Sequence, residues 1–401
     1  MVQTAINKGR MMTSMKRIEL FGWKFTITPA RKILTFIAAF SIAAMVIRLI
    51  TGFSLLTNLN DDWPWGLWIA FDVLTGVALA GGGYSTALVV HILHRDKYHP
   101  VARGALLTSL LGYILVMAGL FLDIGQWFNF WRPFVSWGHA SVLFEVFWCI
   151  SIYTTIQVLE FGEIVTEKIG IKLHRFFKKI LPVLMIIGVV FPTLHQSSLG
   201  ALFLIAVHKV YPLWWTEYLP VFFLMSSFFI GPAMVCVESA LAGKFFGHKV
   251  SLNVLSGLAR ISGRMMVLYL GLKIFDLFER GVVGLAFLGN LEGNMFLLEI
   301  IVGVAIPIGI VFSRFGKTRN GLLVYGVLTS GGVILNRMNT VFTSMVSYSS
   351  GAYFPSIWEF IVSIGLISIG CLLYSFIVEN FNIFDHHPSQ RSDKHDNQLS
   401  V

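Results

Sequence analysis

The stretch "ILPVLMIIGVVFPTLHQSSLGALFLIA", residues 180–206, decides the fold: it runs 27 residues without one Asp, Glu, Lys or Arg. Wound as a helix it would reach about 40 Å, more than the ~30 Å hydrocarbon core of a bilayer requires. It reads as a membrane span. Within it, "FPTLHQSSLGAL" (191–202) sets a histidine, a glutamine and two serines between apolar flanks. Ser197, Ser198 and Gly200 permit close helix packing, and the Pro192–Gly200 stretch offers a place for the helix to break. His195 and Gln196 offer a binding site instead, since an imidazole exchanges its proton near neutral pH.

The rest of the chain follows the same pattern. Of 401 residues, 56% are hydrophobic and 13% charged, with mean hydropathy +0.74; soluble domains carry roughly 25% charged residues. Ten apolar runs can be marked: 32–56, 65–94, 103–122, 140–162, 180–206, 217–242, 252–278, 291–313, 320–346 and 355–379. The expected fold is an all-α integral membrane protein of about ten transmembrane helices, with 1–31 a cytoplasmic tail, 32–379 the bundle and 380–401 a second polar tail. The basic N-terminus lacks a short apolar core with a small-residue cleavage site and reads as uncleaved.

Charge sets the orientation. With ten spans both tails share a side, and that side collects 22 of the 30 Lys and Arg residues, against Arg132, Lys209 and Arg280 on the other. By the positive-inside rule both termini are cytoplasmic. The net charge of +9 is then a feature of topology, and nucleic-acid binding is excluded. Cys149, Cys236 and Cys371 are far apart in apolar runs, which argues against a disulfide framework, a zinc site or an iron–sulfur cluster. Eight of eleven tryptophans fall in or beside the outer loops, more than an interfacial belt on both faces needs, so the outer surface is expected to dock a partner. "VLFEVFW" opens the fourth span and "FLLEIIV" the eighth. By this echo, spans 2–5 and 6–9 are expected to form two related four-helix bundles with flanking helices.

Ionisable groups at membrane depth cost ~2.5 kcal/mol or more and are functional candidates by default. Arg48, Asp72, Glu145, His195, Glu299, Arg337 and Glu359 fall in the outer half, with Asp123 at the outer end of the third span. Arg103, Glu160, Glu238, Arg260 and Arg264 fall in the inner half, with Tyr113 near mid-depth. Arg48 and Arg337 are expected to neutralise Asp72, Glu145 or Glu299. By depth, Arg103, Glu238, Tyr113 and Glu145 step outward from the cytoplasm, as a proton relay requires.

The motifs "DDWPWGLWIAFDVLTGVALAGGGY", "YHPVARGALLTSLLGY", "LDIGQWFNFW", "SVLFEVFWCISIYTTIQVLEF", "FPTLHQSSLGALFLIAVHKVYPLWW" and "YFPSIWEFIVSIG" together resemble the NrfD/PsrC-like integral membrane subunits. Within that family they resemble the HybB type of nickel–iron hydrogenase complexes and related anchors in sulfate-reducer redox complexes. The likeness is clear from about 60 to 240, fainter to 350, and returns at 353–379. It implies a subunit of the bacterial inner membrane that binds no haem or iron–sulfur cluster. Its substrate would be quinone, menaquinone before ubiquinone, at a site near the outer face. It would be fed by a periplasm-facing four-cluster ferredoxin-like iron–sulfur subunit and further catalytic subunits of hydrogenase, multihaem cytochrome or molybdopterin type. It associates Glu145 with quinone-coupled protonation, and Arg103, Tyr113 and Glu238 with proton conduction. "ILNRMNT" around Arg337 is closer to other NrfD-like members than to the hydrogenase type.

Reducing a quinone needs two electrons, two protons and partners for two carbonyl oxygens, and the protons need titratable groups within reach. Glu145 and Asp72, with His195 at a comparable level, are the expected catalytic set. Gln196, Asp123, Trp68 and Arg337 join His195 and Asp72 around the quinone. Two other classes compete. A haem b cytochrome would want histidines about 14 residues apart on one helix, whereas His195 and His208 are 13 apart, about 140° out of line at 100° per residue. A secondary transporter would want a second broken helix to match the Pro192–Gly200 stretch.

Overall fold

A computed structural model of the chain describes residues 16–384 apart from 21, 61, 64, 139 and 350–352. It opens with an antiparallel hairpin, β1 (Lys16–Leu20) and β2 (Trp23–Ile27), within the segment read as a tail. Alternation places Ile18, Trp23 and Phe25 on one face. The Trp23 and Phe25 rings pack on Phe376, with centroids 5.6 and 5.2 Å away. The polar C-terminal tail beyond 384 lies outside the described residues.

Ten long helices follow: α1 (Pro29–Thr51), α2 (Trp68–Val90), α3 (Asp96–Asp123), α4 (Val142–Ile169), α5 (Ile171–Ala201), α6 (Leu219–Phe245), α7 (Leu252–Glu279), α8 (Leu291–Phe312), α9 (Arg319–Val341) and α10 (Ile357–Asn380). Side-chain caps start several of them: Ser141 accepts from Phe144 N, Ser251 from Val254 N, and Ser356 forms a capping box with Glu359, satisfying amides that have no partner within the helix. Among the described residues nine helices, all but α7, are long and apolar enough to cross a membrane. Helix α7 is 28 residues long but carries Arg260, Arg264, Lys273 and Asp276, which lower its hydropathy. The polar motif does not break α5, which runs unbroken for 31 residues through Pro182 and Pro192.

Packing divides the helices as the echo suggested. Helices α2 to α5 surround one axis, each touching its sequence neighbour and α5 closing on α2; α6 to α9 surround another, with α9 closing on α6. Helices α1 and α10 pair with each other and lean on α3. The two bundles meet where α6 packs on α2 and α5 and where α9 packs on α2; α2 and α6 are 78% and 67% buried over their apolar windows, against 22% for α1 and α5. Small residues make the contact of α6 with α2: a Cβ on Gly231 would fall 2.9 Å from the Gly81 carbonyl oxygen. In the second bundle Gly303 of α8 meets Gly332 of α9, where an added Cβ would lie 2.2 Å from the opposing Cα. Such approaches gain the dispersion contacts that hold helices together in lipid.

Candidate functional site

Helix α4 carries a polar stripe along its whole length: Glu145, Cys149, Tyr153, Gln157, Glu160, Glu163 and Glu167. The 22 residues from first to last turn within about 40° of six full helical turns and rise about 33 Å, so one face presents a polar group at every turn across the bilayer. At its outer end Glu145 is exposed and accepts from Ser198 Oγ of α5 at 2.7 Å. At mid-depth Gln157 Nε2 donates to Ser109 Oγ of α3 at 2.5 Å and to Tyr153 OH at 3.0 Å. The Tyr153 ring meets Tyr113 of α3 edge-on at 4.5 Å, and Tyr113 lies 6.1 Å from the His195 ring of α5. His195 is one turn deeper than Ser198. The two helices α3 and α5 thus face the stripe and complete a column inside the first bundle.

What distinguishes this column is its incomplete hydrogen bonding. Tyr113, His195, Gln196 and Gln157 are each 0% exposed. Yet Tyr113 OH, both His195 nitrogens, both Gln196 amide atoms and Gln157 Oε1 make no hydrogen bond, nor does the Thr154 hydroxyl nearby. Upwards of nine in ten buried polar groups in proteins are partnered, and each unpartnered one costs roughly 1–3 kcal/mol. Several in one seam are expensive to keep in a purely structural core.

The other expected site residues lie apart from the column. Asp72 of α2 accepts from Ser363 Oγ of α10 at 2.7 Å and is pressed against Gly119 of α3. Trp68 Nε1 donates to the Glu359 carbonyl at 3.3 Å, and Glu359 itself accepts from Tyr353 OH at 2.7 Å. Arg48 donates to the Ile124 carbonyl at 2.7 Å and stacks 4.1 Å above Phe53, with Asp123 as its electrostatic counterpart. This cluster fills the seam between α1, α2, α3 and α10. Arg337 lies in the second bundle, donating at 2.6 Å to both Ser226 Oγ and Asn336 Oδ1, with Phe223 3.5 Å beneath its guanidinium. The expected pairing of Arg48 and Arg337 with Asp72, Glu145 or Glu299 is not seen: among the described residues neither arginine lies within ion-pair distance of an acid. Depth places these groups at one level, but their helices turn them toward different seams.

Arg103 also departs from its expected step. It reaches Glu167 at 2.6 Å and Glu163 at 3.9 Å, at the foot of the α4 stripe. Its neighbour Gly104, turned 100° away, faces Glu238, whose partner is Tyr374 OH at 2.8 Å. Glu238 borders a small cavity of about 10 Å³ with His248 and Phe384, the size of one water. His195 and His208 do not converge, since His195 is buried and His208 exposed. Sequence reasoning missed Tyr153, Gln157, Ser109, Glu163 and Glu167; the 3.6-residue recurrence of polar groups along the fourth span is the signal that finds them.

On the outer side the tryptophans divide. Trp63, Trp68 and Trp214 are buried, while Trp131 and Trp137 are 49% and 62% exposed beside Phe128, Phe130 and Phe134. An open cleft of about 380 Å³ lies between the short helical turn Arg132–Val135 and the start of α4, lined by Arg132, Trp137, Leu143, Phe144 and Phe147 among others.

Comparison with known proteins adds an independent line. Residues 55–348 match the family model described as polysulphide reductase, NrfD. The chain is 31% identical over 366 residues to the probable Ni/Fe-hydrogenase 2 b-type cytochrome subunit of Escherichia coli K12, spanning 89% of this chain and 92% of that one. It is 30% identical over 240 residues to the menaquinone reductase integral membrane subunit of Nitratidesulfovibrio vulgaris Hildenborough, spanning 55% of each. It is 24% identical over 361 residues to the Hdr-like menaquinol oxidoreductase integral membrane subunit of Archaeoglobus fulgidus, spanning 81% and 86%.

Proposed function

The chain belongs to the polysulphide reductase NrfD family of integral membrane proteins, and from that premise we propose that it is the quinone-reactive subunit of a bacterial respiratory oxidoreductase. The reaction takes quinone, two electrons and two protons to quinol, or runs in reverse. Electrons arrive from an iron–sulfur subunit docked on the periplasmic face, where exposed Trp131 and Trp137 offer contact. Protons come from the cytoplasm, the side of both termini. The substrate is menaquinone, in keeping with the names of two relatives, and the catalytic partner is of hydrogenase, multihaem cytochrome or molybdopterin type.

The observation that carries this reading is the seam of buried, unpartnered polar groups that ends at Glu145. Glu145 is open at the outer face with a single Ser198 hydroxyl on it, so its carboxyl is free to exchange a proton with a quinone. Beneath Glu145, His195, Gln196 and Tyr113 pass protons outward. They are sealed from the surface, so His195 serves the acid and does not touch the quinone. Asp72, Asp123 and Trp68 form a supporting acidic cluster one seam away, and Glu238 holds a proton store near the cytoplasmic edge.

The test is Glu145→Gln in the intact complex, with quinone turnover and reduction of an artificial dye by the partner measured in parallel. Loss of about 100-fold in quinone turnover, the scale of general acid–base catalysis, with dye reduction retained is the expected result. Undiminished quinone turnover sinks the assignment.

A further inference from the structure

The column described above has an outer end and a middle, but its cytoplasmic intake has no assigned residue. Depth and the family resemblance nominated Glu238. Yet Glu238 sits behind α3, bonded to Tyr374 of α10, on the far side of that helix from the α4 stripe. On the stripe itself, one turn inside Gln157, stands Glu160. It is 8% exposed and makes no hydrogen bond or ion pair among the described residues. The wall in front of it is Gly188 of α5, where a Cβ would lie 3.0 Å from Glu160 Oε1 and 3.4 Å from the Ile156 side chain. A larger residue at 188 would cover the carboxyl. A buried carboxylate without a counter-charge is among the costliest groups to hold in a membrane protein. Nothing in the packing around it compensates, so a structural role does not account for it.

The stripe continues below Glu160 without a gap. Glu163 is three residues on and Glu167 seven, at one and two helical turns, and Arg103 of α3 bridges both at 3.9 and 2.6 Å. His174 of α5 joins the same cluster, its Nε2 3.8 Å from Glu163 Oε1. These groups are partly exposed, with Arg103 and Glu167 each 24% accessible, so they meet the aqueous phase on the basic face of the bundle. Above Glu160 the next polar group on the stripe is Gln157, already bonded to Tyr153 and Ser109.

We propose that Glu160 is the proton-loading acid of the column, filled from the Glu163–Glu167–Arg103–His174 cluster and emptied outward through Gln157, Tyr153, Tyr113 and His195 to Glu145. This rests on the quinone-reactive reading and names its intake. Each turnover moves two protons along the stripe while the iron–sulfur partner supplies two electrons, so charge and atoms balance at the quinone. Glu160 acts through the column and does not touch the substrate. Arg103 accordingly serves to hold the two intake carboxylates side by side.

The experiment uses the whole complex in liposomes with a water-soluble partner substrate and a menaquinone analogue. Glu160→Gln should lower quinone-linked turnover at least 10-fold with dye reduction by the partner unchanged. Glu160→Asp, which keeps a carboxyl, should recover a third or more of the wild-type rate. Thr155→Val, on the exposed side of the same helix, should stay within twofold. Gln and Asp variants that both turn over at the wild-type rate overturn the intake, as does an Asp variant no faster than the Gln variant. Should Glu160→Gln fail to assemble, Gly188→Val, which crowds the carboxyl without removing it, gives the same reading: a 10-fold loss supports the intake and an undiminished rate overturns it. If Glu145→Gln is also fully active, the quinone reading fails with it; if only the Glu160 variants are active, the fault lies in the intake alone.

Discussion

The two bundles hold a glutamate in matching places and treat it in opposite ways. In the first, Glu145 of α4 receives one hydroxyl, from Ser198 of α5, and stands above a seam of unpartnered groups. In the second, Glu299 of α8 is 1% exposed and receives three N–H donors: Trp214 Nε1 at 2.9 Å, Asn336 Nδ2 at 2.7 Å and Asn339 Nδ2 at 3.0 Å. Asn336 passes the contact on to Arg337, and the Lys273 ammonium lies nearby over the Phe222 ring at 4.8 Å. Three N–H donors occupy both carboxyl oxygens of Glu299 and fix the group in place. One hydroxyl leaves most of the acceptor capacity of Glu145 open to another partner. The same helical frame therefore carries an open acid on one side and a fully bonded one on the other, and the difference is read from partner counts, not from residue type.

That contrast is most exposed to disproof at Glu299. Replacing it by Leu strands three buried N–H donors and removes an acid that faces both Arg337 and Lys273. Removing one member of a buried charge network typically costs about 3–5 kcal/mol. Glu299→Leu should thus lower the melting temperature of the purified subunit or cut assembly sharply. A Glu299 variant as stable as wild type, but inactive with quinone, would reverse the roles assigned to the two acids.

Glu145→Gln is the mirror case and ranks next. The group is exposed and has a single hydrogen-bond partner, so the change should move stability by no more than about 0.5 kcal/mol. Its effect belongs in turnover, where a loss of about 100-fold corresponds to ~2.7 kcal/mol of transition-state stabilisation. A large drop in melting temperature would show that Glu145 holds the bundle together as Glu299 does.

Both acids were visible in the sequence, and so was the frame around them, because hydrocarbon imposes a one-dimensional rule: about 20 apolar residues per crossing. Runs that satisfy it mark themselves, and nine of ten became helices of the right length and apolarity. The tenth, α7, was marked by its flanks although its own charges weaken the signal. The paired bundles were foreshadowed by Glu145 and Glu299 alone. What the sequence hid is direction around each helix. Depth put Asp72, His195 and Arg337 at one level, yet α2 turns Asp72 toward Ser363 of α10, 291 residues away, while α9 turns Arg337 toward Ser226 of α6. Depth also made Arg103 and Glu238 successive steps, though they lie on different sides of α3. Tyr153 and Gln157 escaped because uncharged polar groups barely dent a hydropathy average, and only their 3.6-residue recurrence with Glu145 and Glu160 sets them apart.

The smallest expected effect is the most discriminating, because it separates cost from function at one residue. His195 is completely buried with neither ring nitrogen bonded. In an ordinary core, replacing a buried histidine loses hydrogen bonds and stability. Here His195→Phe keeps a ring of similar shape and removes two unpartnered polar atoms, so stability should hold or rise by up to about 1 kcal/mol. Quinone turnover should nonetheless fall about 10-fold, since a proton arriving at Tyr113 loses its next acceptor. Thermal melting and quinone-linked turnover of the same preparation read both at once. A variant that melts lower by an amount comparable to Glu299→Leu would mean that His195 is as firmly partnered as the locked acid. A variant as active as wild type would take the histidine out of the proton path. Only the combination of retained stability and slowed turnover fits a seam of polar groups left unsatisfied beside α4, at a cost in folding, to serve as a proton path.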